Sequence, residues 1–353
     1  MRSKSIKIGN KIISDRSPVF IIAEGGINHN GRLDLALKLV DAAADADADA
    51  IKFQTWTTSE LVTMEAEMAE YQKKNLGKTT SQAKMLQKVE LKEKYFPAIL
   101  KRATERGLIL LSSPHGGFSA VDRVQKLGLP AFKIASGDTV NYPVLAHAAK
   151  YGKPMILGTG MCTMTELKES IRVMRRAGND KIVMLHCTTN YPTPFDEVNM
   201  RAMLTMMKKL GVLIGYSDHT MGHQVATMAV TLGACCIEKH LTLDKNMEGS
   251  DHKASSEPRE FKEMVQAIRD VEVVLGSFKK GPNPSEVRIM AIARKSVVTT
   301  QTIKKGEKFT KNNIGIKRPG NGMPPKYFWE VLGKTAKIDL PTDYLLKPSS
   351  VNK

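Results

Sequence analysis

Residues 215–240 read Gly-Tyr-Ser-Asp-His-Thr-Met-Gly-His-Gln-Val-Ala-Thr-Met-Ala-Val-Thr-Leu-Gly-Ala-Cys-Cys-Ile-Glu-Lys-His. Val212-Leu213-Ile214 leads into this stretch and Cys235-Cys236-Ile237 closes it, each a short apolar run that stops on ionisable residues. Between them lies a helix-like run, residues 224–232. Strand, helix and strand in that order form a parallel βαβ unit. Two strand ends side by side would place His219 and His240 where a pair of imidazoles can share one metal ion. Either histidine alone reads better as an ordinary hydrogen-bonded residue at a barrel rim; the recurrence of such strand ends along the chain shifts the balance towards a metal pair.

Working outward, the same unit recurs along the chain. Residues 19–23 run into Glu24 and the turn-rich Gly25-Gly26-Ile27-Asn28-His29-Asn30-Gly31, and Ala50-Ile51-Lys52-Phe53-Gln54-Thr55 follows after a helical pattern. Residues 108–111 run into Ser112-Ser113-Pro114-His115, and residues 131–135 into Ser136-Gly137-Asp138. Met155-Ile156-Leu157 runs into Gly158-Thr159-Gly160, and Ile182-Val183-Met184-Leu185 into a segment ending Thr188-Thr189-Asn190-Tyr191-Pro192. Eight strand candidates over about 240 residues, with amphipathic helices between them, predict a (β/α)8 barrel, a TIM barrel, whose active site lies at the carboxyl ends of the strands. That rim is where the chain concentrates Glu24, Lys52, Lys133, Asp138, Ser217, His219, Glu238, Lys239, His240 and Asp251. A polar insertion from Thr57 to Lys88 reads as a loop with helical pieces, the kind that carries function or forms a lid.

The barrel is expected to occupy residues 1–275, ending in a helix over 258–275. Residues 276–293 hold Gly-Ser, Gly-Pro and Asn-Pro pairs and read as a linker. Residues 294–353 have short β-like runs and form a small, mostly β module, too small for a large site of its own. Its best use is to cover something, and Arg318 on a Gly/Pro loop is its obvious probe.

Composition sets limits on function. The 353 residues are 42% apolar and 25% charged, as in soluble globular proteins. No apolar run approaches the roughly 20 residues of a bilayer span. The amino-terminal stretch has no apolar signal core, and the four cysteines (Cys162, Cys187, Cys235, Cys236) show no disulfide framework. A reducing cytoplasm is the expectation, with no membrane partner. The net charge of +17 raises nucleic acid as a partner, but residues 276–353 carry sixteen Lys/Arg against five Asp/Glu. The excess is thus concentrated in the tail, aromatics are only 6%, and no nucleic-acid motif is present. A solvated basic surface that attracts anionic substrates is the expected reading, with no nucleic-acid partner.

Lys52 and Lys133, both inward after apolar runs, suit a carboxylate or phosphate, and Ser113, Ser136, Thr159, Thr189 and Ser217 add hydroxyl donors. Gly158-Thr159-Gly160 is a weak phosphate cradle, lacking the rest of a nucleotide fingerprint.

Together these segments resemble the N-acetylneuraminate (sialic acid) synthase family, which includes legionaminic and pseudaminic acid synthases. The resemblance rests on residues 21–31, residues 51–55, residues 133–138, His186-Cys187-Thr188 with residues 191–194, residues 215–220, Glu238-Lys239-His240 with residues 249–252, and residues 317–322. It spans nearly the whole chain, the last module resembling the family's antifreeze-like (SAF) domain. The resemblance implies a transferase that condenses phosphoenolpyruvate with the open aldehyde form of an N-acyl amino sugar, such as N-acetylmannosamine or a 6-deoxy-diacetamido analogue. The products are a nonulosonic acid and phosphate.

By the family pattern His219 and His240 hold a divalent cation, Mn2+ first, with Mg2+ and Co2+ as alternatives. Glu24 handles a proton. Lys52, Ser113, Lys133, Ser136, Thr189 and Ser217 match positions that hold phosphoenolpyruvate, while Asp138, Tyr191 and Asp251 match sugar contacts. Arg318 matches the arginine that the SAF domain supplies to the partner subunit, implying a domain-swapped homodimer. Gly158, where some members have a phosphate-binding serine, and Asp138, where some have glutamate, depart from the pattern. Two rival readings are a Schiff-base aldolase using Lys133 or Lys239, and a non-catalytic carbohydrate-binding protein on the same scaffold.

Overall fold

The computed structural model describes residues 4–77 and 80–352. Two compact units emerge, residues 1–276 and residues 277–353. In the first, eight parallel strands close into a barrel: β3 (Phe20–Gly26), β4 (Ala50–Thr55), β5 (Ile109–Pro114), β6 (Phe132–Ile134), β7 (Met155–Gly158), β8 (Ile182–His186), β9 (Leu213–Asp218) and β10 (Cys236–His240), with β10 returning to pair with β3. All eight are those expected from the sequence. β3 reaches further than residues 19–23, carrying Glu24 into the sheet itself.

Side chains alternate across each strand and sort into two layers. Ile21, Ala23, Ile51, Phe53, Leu157, Met184 and Ile214 join the helices in one apolar layer around the barrel. Phe20, Ile22, Ala50, Leu111, Ile156, Val183 and Cys236 point the other way and fill the interior. The helices are those the apolar spacing dictates. Residues 164–176, for example, start from a capping box in which Thr163 and Glu166 satisfy each other's backbone amides.

An antiparallel hairpin, β1 (Ser5–Ile8) and β2 (Lys11–Ser14), precedes the barrel. Its Ile6, Ile8 and Ile13 cluster with Ile109 and Leu213, the first residues of β5 and β9, and so plug the amino end. The insertion after β4 contains helices at Thr58–Leu61, Glu70–Leu76 and Gln82–Val89, as its mixed polar pattern implied.

The second unit pairs β11 (Ser296–Thr299) with β12 (Ile314–Lys317) over a small core of Val297, Ile303, Phe309, Ile314, Leu340 and Leu346. Within the stretch read as a linker the chain instead forms a helix, Pro284–Ala293. Asn283 and Glu286 cap it and Pro284 occupies its first turn. No helix among the described residues is long and apolar enough to cross a membrane.

Candidate active site

Above the apolar interior the inward-facing positions turn polar. Strand register sets Glu24 of β3 between His240 of β10 and Lys52 of β4, and Glu238 of β10 beside Ser217 of β9. A register shift between Glu24 and Gly26 ends the regular ladder there. Gly26 has φ +49°, a left-handed conformation that glycine adopts without strain.

Four buried charges meet in this ring. Lys52 Nζ lies 3.0 Å from Glu24 Oε2 and 3.3 Å from Glu238 Oε2, and Lys133 Nζ lies 3.2 Å from Glu238 Oε1. Ser217 Oγ donates to Glu238 Oε1 at 3.0 Å, and Gln54 Nε2 donates to Glu24 Oε1 at 3.0 Å. Glu24 Oε2 and Glu238 Oε2 sit within ion-pair distance of Lys52 but are not aligned as hydrogen bonds, so these contacts are mainly Coulombic.

Burial pushes the Glu24 carboxyl up, only partly offset by Lys52. Burial also acts to raise Glu238, yet Lys133, Lys52 and His240 outweigh it and hold that carboxylate far below its usual range. Lys133 is lowered by burial despite Glu238, whereas Lys52, equally buried, is raised by its two carboxylates. One carboxyl raised and its neighbour lowered is a division of labour typical of acid–base sites.

The two histidines stand beside this cluster, ring centroids 5.6 Å apart, with the Tyr191 ring 4.2 Å from His219 and 5.4 Å from His240. Burial lowers His219 to about 4 and His240 well below the ordinary imidazole range, so both rings are neutral, the form that binds metals. His219 Nδ1 lies 2.6 Å from the Thr188 carbonyl oxygen. A carbonyl only accepts, so Nδ1 carries the proton and Nε2 keeps its lone pair. His240 Nδ1 is buried without a hydrogen-bond partner, 4.0 Å from Asp251 Oδ2. Two neutral nitrogens, one of them orphaned, beside a buried carboxyl that burial raises fit a divalent cation. No group of three or more His, Cys, Asp or Glu among the described residues is arranged to hold a metal ion.

Across the ring, Ser113 Oγ and Thr189 Oγ1 are buried with no hydrogen-bond partner. Ser136 Oγ accepts from the Gly160 amide at 3.1 Å and lies 3.3 Å from Cys187 Sγ. An orphaned buried hydroxyl is costly unless something pairs with it. A Cβ at Gly158 would fall 2.7 Å from Ser136 Oγ, so the absent side chain is the space that Ser136 now fills. Asp138 follows β6, with His115 Nδ1 3.9 Å away, and its carboxyl is raised by burial.

Three further residues are placed as follows. The Thr159 hydroxyl is committed to the main chain, donating to Leu185 O at 2.9 Å. Lys239 belongs to the outer face, where Asp218 Oδ2 at 2.6 Å and Thr220 O at 2.7 Å tie it down. Arg318 is exposed in the second unit, directly after β12. Conversely, Glu238, Gln54 and Cys187 are central, though the residue reading gave them no role. The signal was present in the period of two: Glu238 and His240, Lys52 and Gln54, and Ser217 and His219 each share one strand face.

Comparison with known proteins settles the family. The NeuB family model matches residues 39–280 and the SAF domain model residues 294–352. The chain belongs to the NeuB family. It is 43% identical over 329 residues to the N,N'-diacetyllegionaminic acid synthase of Campylobacter jejuni, covering 93% of this chain and 98% of that one. The corresponding synthase of Legionella pneumophila is 41% identical, with 91% of each chain covered. Among solved structures, the N-acetylneuraminic acid synthetase of Leptospira borgpetersenii, crystallised with citrate, superposes with a TM-score of 0.71 at 32% identity, over 82% of this chain and 95% of that one. The NeuB chain described here is therefore a synthase of a carbon–carbon bond-forming transferase family, with a barrel and a carboxyl-terminal SAF domain.

Proposed function

We propose that this NeuB chain condenses phosphoenolpyruvate with an N-acyl amino sugar to give a nonulosonic acid and phosphate, with a 6-deoxy-diacetamido sugar as the first acceptor to test. The supporting observation is the buried ring of Lys52, Lys133, Glu24 and Glu238 beside two neutral imidazoles. The names of the two legionaminic acid synthases support the choice of sugar.

In this reading phosphoenolpyruvate takes the lysines over from Glu24 and Glu238, which hold them inward in its absence. Ser113 and Thr189 donate their unpartnered hydroxyls to its oxygens, with Ser136 alongside. A divalent cation, Mn2+ first, held by His219 and His240 would act as a Lewis acid on the sugar aldehyde. Carbon 3 of phosphoenolpyruvate forms the new bond to the aldehyde carbon, and water adds to the cationic carbon 2. The C–O bond to phosphate then breaks. Glu24, with its raised carboxyl, manages the proton of that water or of the new hydroxyl. Tyr191 and Asp251 border the histidines and would contact the sugar, with Asp138 on the far side of the ring.

The test is phosphate release from phosphoenolpyruvate by metal-stripped protein resupplied with Mn2+, across N-acetylmannosamine, its 6-phosphate and the 6-deoxy-diacetamido sugar. Phosphate with a product mass equal to the condensed acid is expected. No phosphate with any of the sugars would defeat the proposal.

Arg318 would close the site of a partner subunit in a homodimer. A mixture of inactive Glu24→Gln and Arg318→Ala proteins should then regain part of the activity after subunit exchange, since some sites carry neither lesion. No recovery would remove the exchange. A second reading has one observation in its favour: burial lowers Lys133 towards the free amine that a Schiff base needs. Borohydride trapping of a keto acid on Lys133 would select it. Lys239 drops out, tied to Asp218 and Thr220.

A further inference from the structure

A cavity of about 270 Å³ that no step above uses lies among the loops that follow β3, β4 and β10. The loop after β3 supplies Ile27 and Asn30, the insertion supplies Leu76, Met85 and Val89, and residues 248–250 complete it. Two of these loops run on directly from groups of the site: Ile27 follows the Glu24–Gly26 strand end, and Ser250 precedes Asp251. The cavity wall is also built to shape. Asn30 Nδ2 donates to the Glu248 carbonyl at 2.9 Å, and a Cβ at Gly249 would lie 2.5 Å from the His252 ring.

Ligand pockets usually measure roughly 300–1,000 Å³, so this one is a compartment for part of a ligand. Ile27, Leu76, Met85 and Val89 give it aliphatic walls, and Ile27 and Met85 are buried there. Lys88 and Glu248 also border it with opposite charges, leaving no net charge for a phosphate dianion. An acyl methyl next to a neutral amide fits that lining, and a sugar phosphate does not.

We infer that this cavity receives a second N-acyl group of the acceptor sugar, carried away from the aldehyde, and so selects diacetamido sugars over N-acetylmannosamine and its 6-phosphate. This rests on the condensation proposed above and adds the residues that choose the acceptor.

The test uses the full chain with Mn2+ and phosphoenolpyruvate, comparing kcat/KM for the 6-deoxy-diacetamido sugar with that for N-acetylmannosamine. One group in an apolar pocket supports roughly 10–200-fold discrimination. The unsubstituted protein should therefore prefer the diacetamido sugar at least tenfold, and Met85→Trp, which fills the cavity, should lower that ratio by about tenfold or more. Val89→Phe on the same helix should lower it as well, and serves if the tryptophan disturbs folding. Preference for N-acetylmannosamine or its 6-phosphate in the unsubstituted protein would overturn the inference. So would an unchanged ratio in a variant with a normal melting curve. If no sugar releases phosphate, the condensation itself fails. If turnover is robust and the ratio fixed, only the cavity assignment fails.

Discussion

At the amino end of the barrel interior, Phe20, Ile22, Ala50, Leu111, Ile156, Val183 and Cys236 pack against the hairpin isoleucines. Two residues further along the same strands, Glu24 follows Ile22, Lys52 follows Ala50, Gly158 follows Ile156 and Glu238 follows Cys236. Both halves are almost fully buried. The lower half gains stability from apolar area removed from water, while the upper half holds four charges whose desolvation roughly cancels their mutual attraction. The barrel is thus stable because of its lower half and carries polar chemistry in spite of the cost of its upper half. In the upper ring each lysine has a carboxylate within ion-pair distance.

The largest effect is expected at the two histidines proposed to hold a cation. His219→Ala and His240→Ala should each lose Mn2+ binding and drop phosphate release to background while circular dichroism and melting stay near normal. Tight Mn2+ binding by both variants would remove the ligand assignment. Next in size is a matched pair of substitutions, one from each half. Glu238→Gln leaves Lys52 and Lys133 short of a buried counter-charge and should cost about 3–5 kcal/mol in denaturant unfolding. A saturating phosphoenolpyruvate concentration should restore more stability to it than to the unsubstituted chain. Ile156→Ala should cost about 2–5 kcal/mol through a cavity, keep its activity at low temperature, and show no such extra rescue. Equal rescue of both would mean that the ring does not exchange carboxylate for substrate. The smallest effect is expected from Gly158→Ser. Its Cβ would crowd Ser136 Oγ at 2.7 Å, and a several-fold rise in KM for phosphoenolpyruvate with little change in melting is expected. An unchanged KM would separate Ser136 from the anion.

Much of this was legible before the structure. Eight apolar runs ending in ionisable residues led to the barrel, and their ends placed Lys52, Lys133, His219 and His240 on the catalytic rim. Glu238 went unassigned because a carboxylate two residues before a proposed ligand reads as a rim residue. Only closure of β10 onto β3 and β9 brings it between two lysines that are distant in sequence. Lys239, one residue on, drew attention for its chemistry, but the period-two alternation puts it on the other face with Asp218. The amino-terminal hairpin was readable from Ile8-Gly9-Asn10-Lys11, a two-residue turn between isoleucine-rich strands. The helix at Pro284–Ala293 was readable from Asn283, Pro284 and Glu286, a capping pattern that the glycines and prolines around it obscured. The cavity beside Ile27 and Met85 had no sequence signal, because it depends on where the insertion folds back.

The most direct test of the condensation is the fate of the bridging oxygen of phosphoenolpyruvate. Substrate labelled with 18O at the C2–O–P position should be turned over with Mn2+ and the preferred sugar, and both products weighed by mass spectrometry. The released phosphate should carry the label and the sugar acid should not, because the C–O bond breaks. Label retained in the acid, with unlabelled phosphate, would mean P–O cleavage to pyruvate and would contradict it.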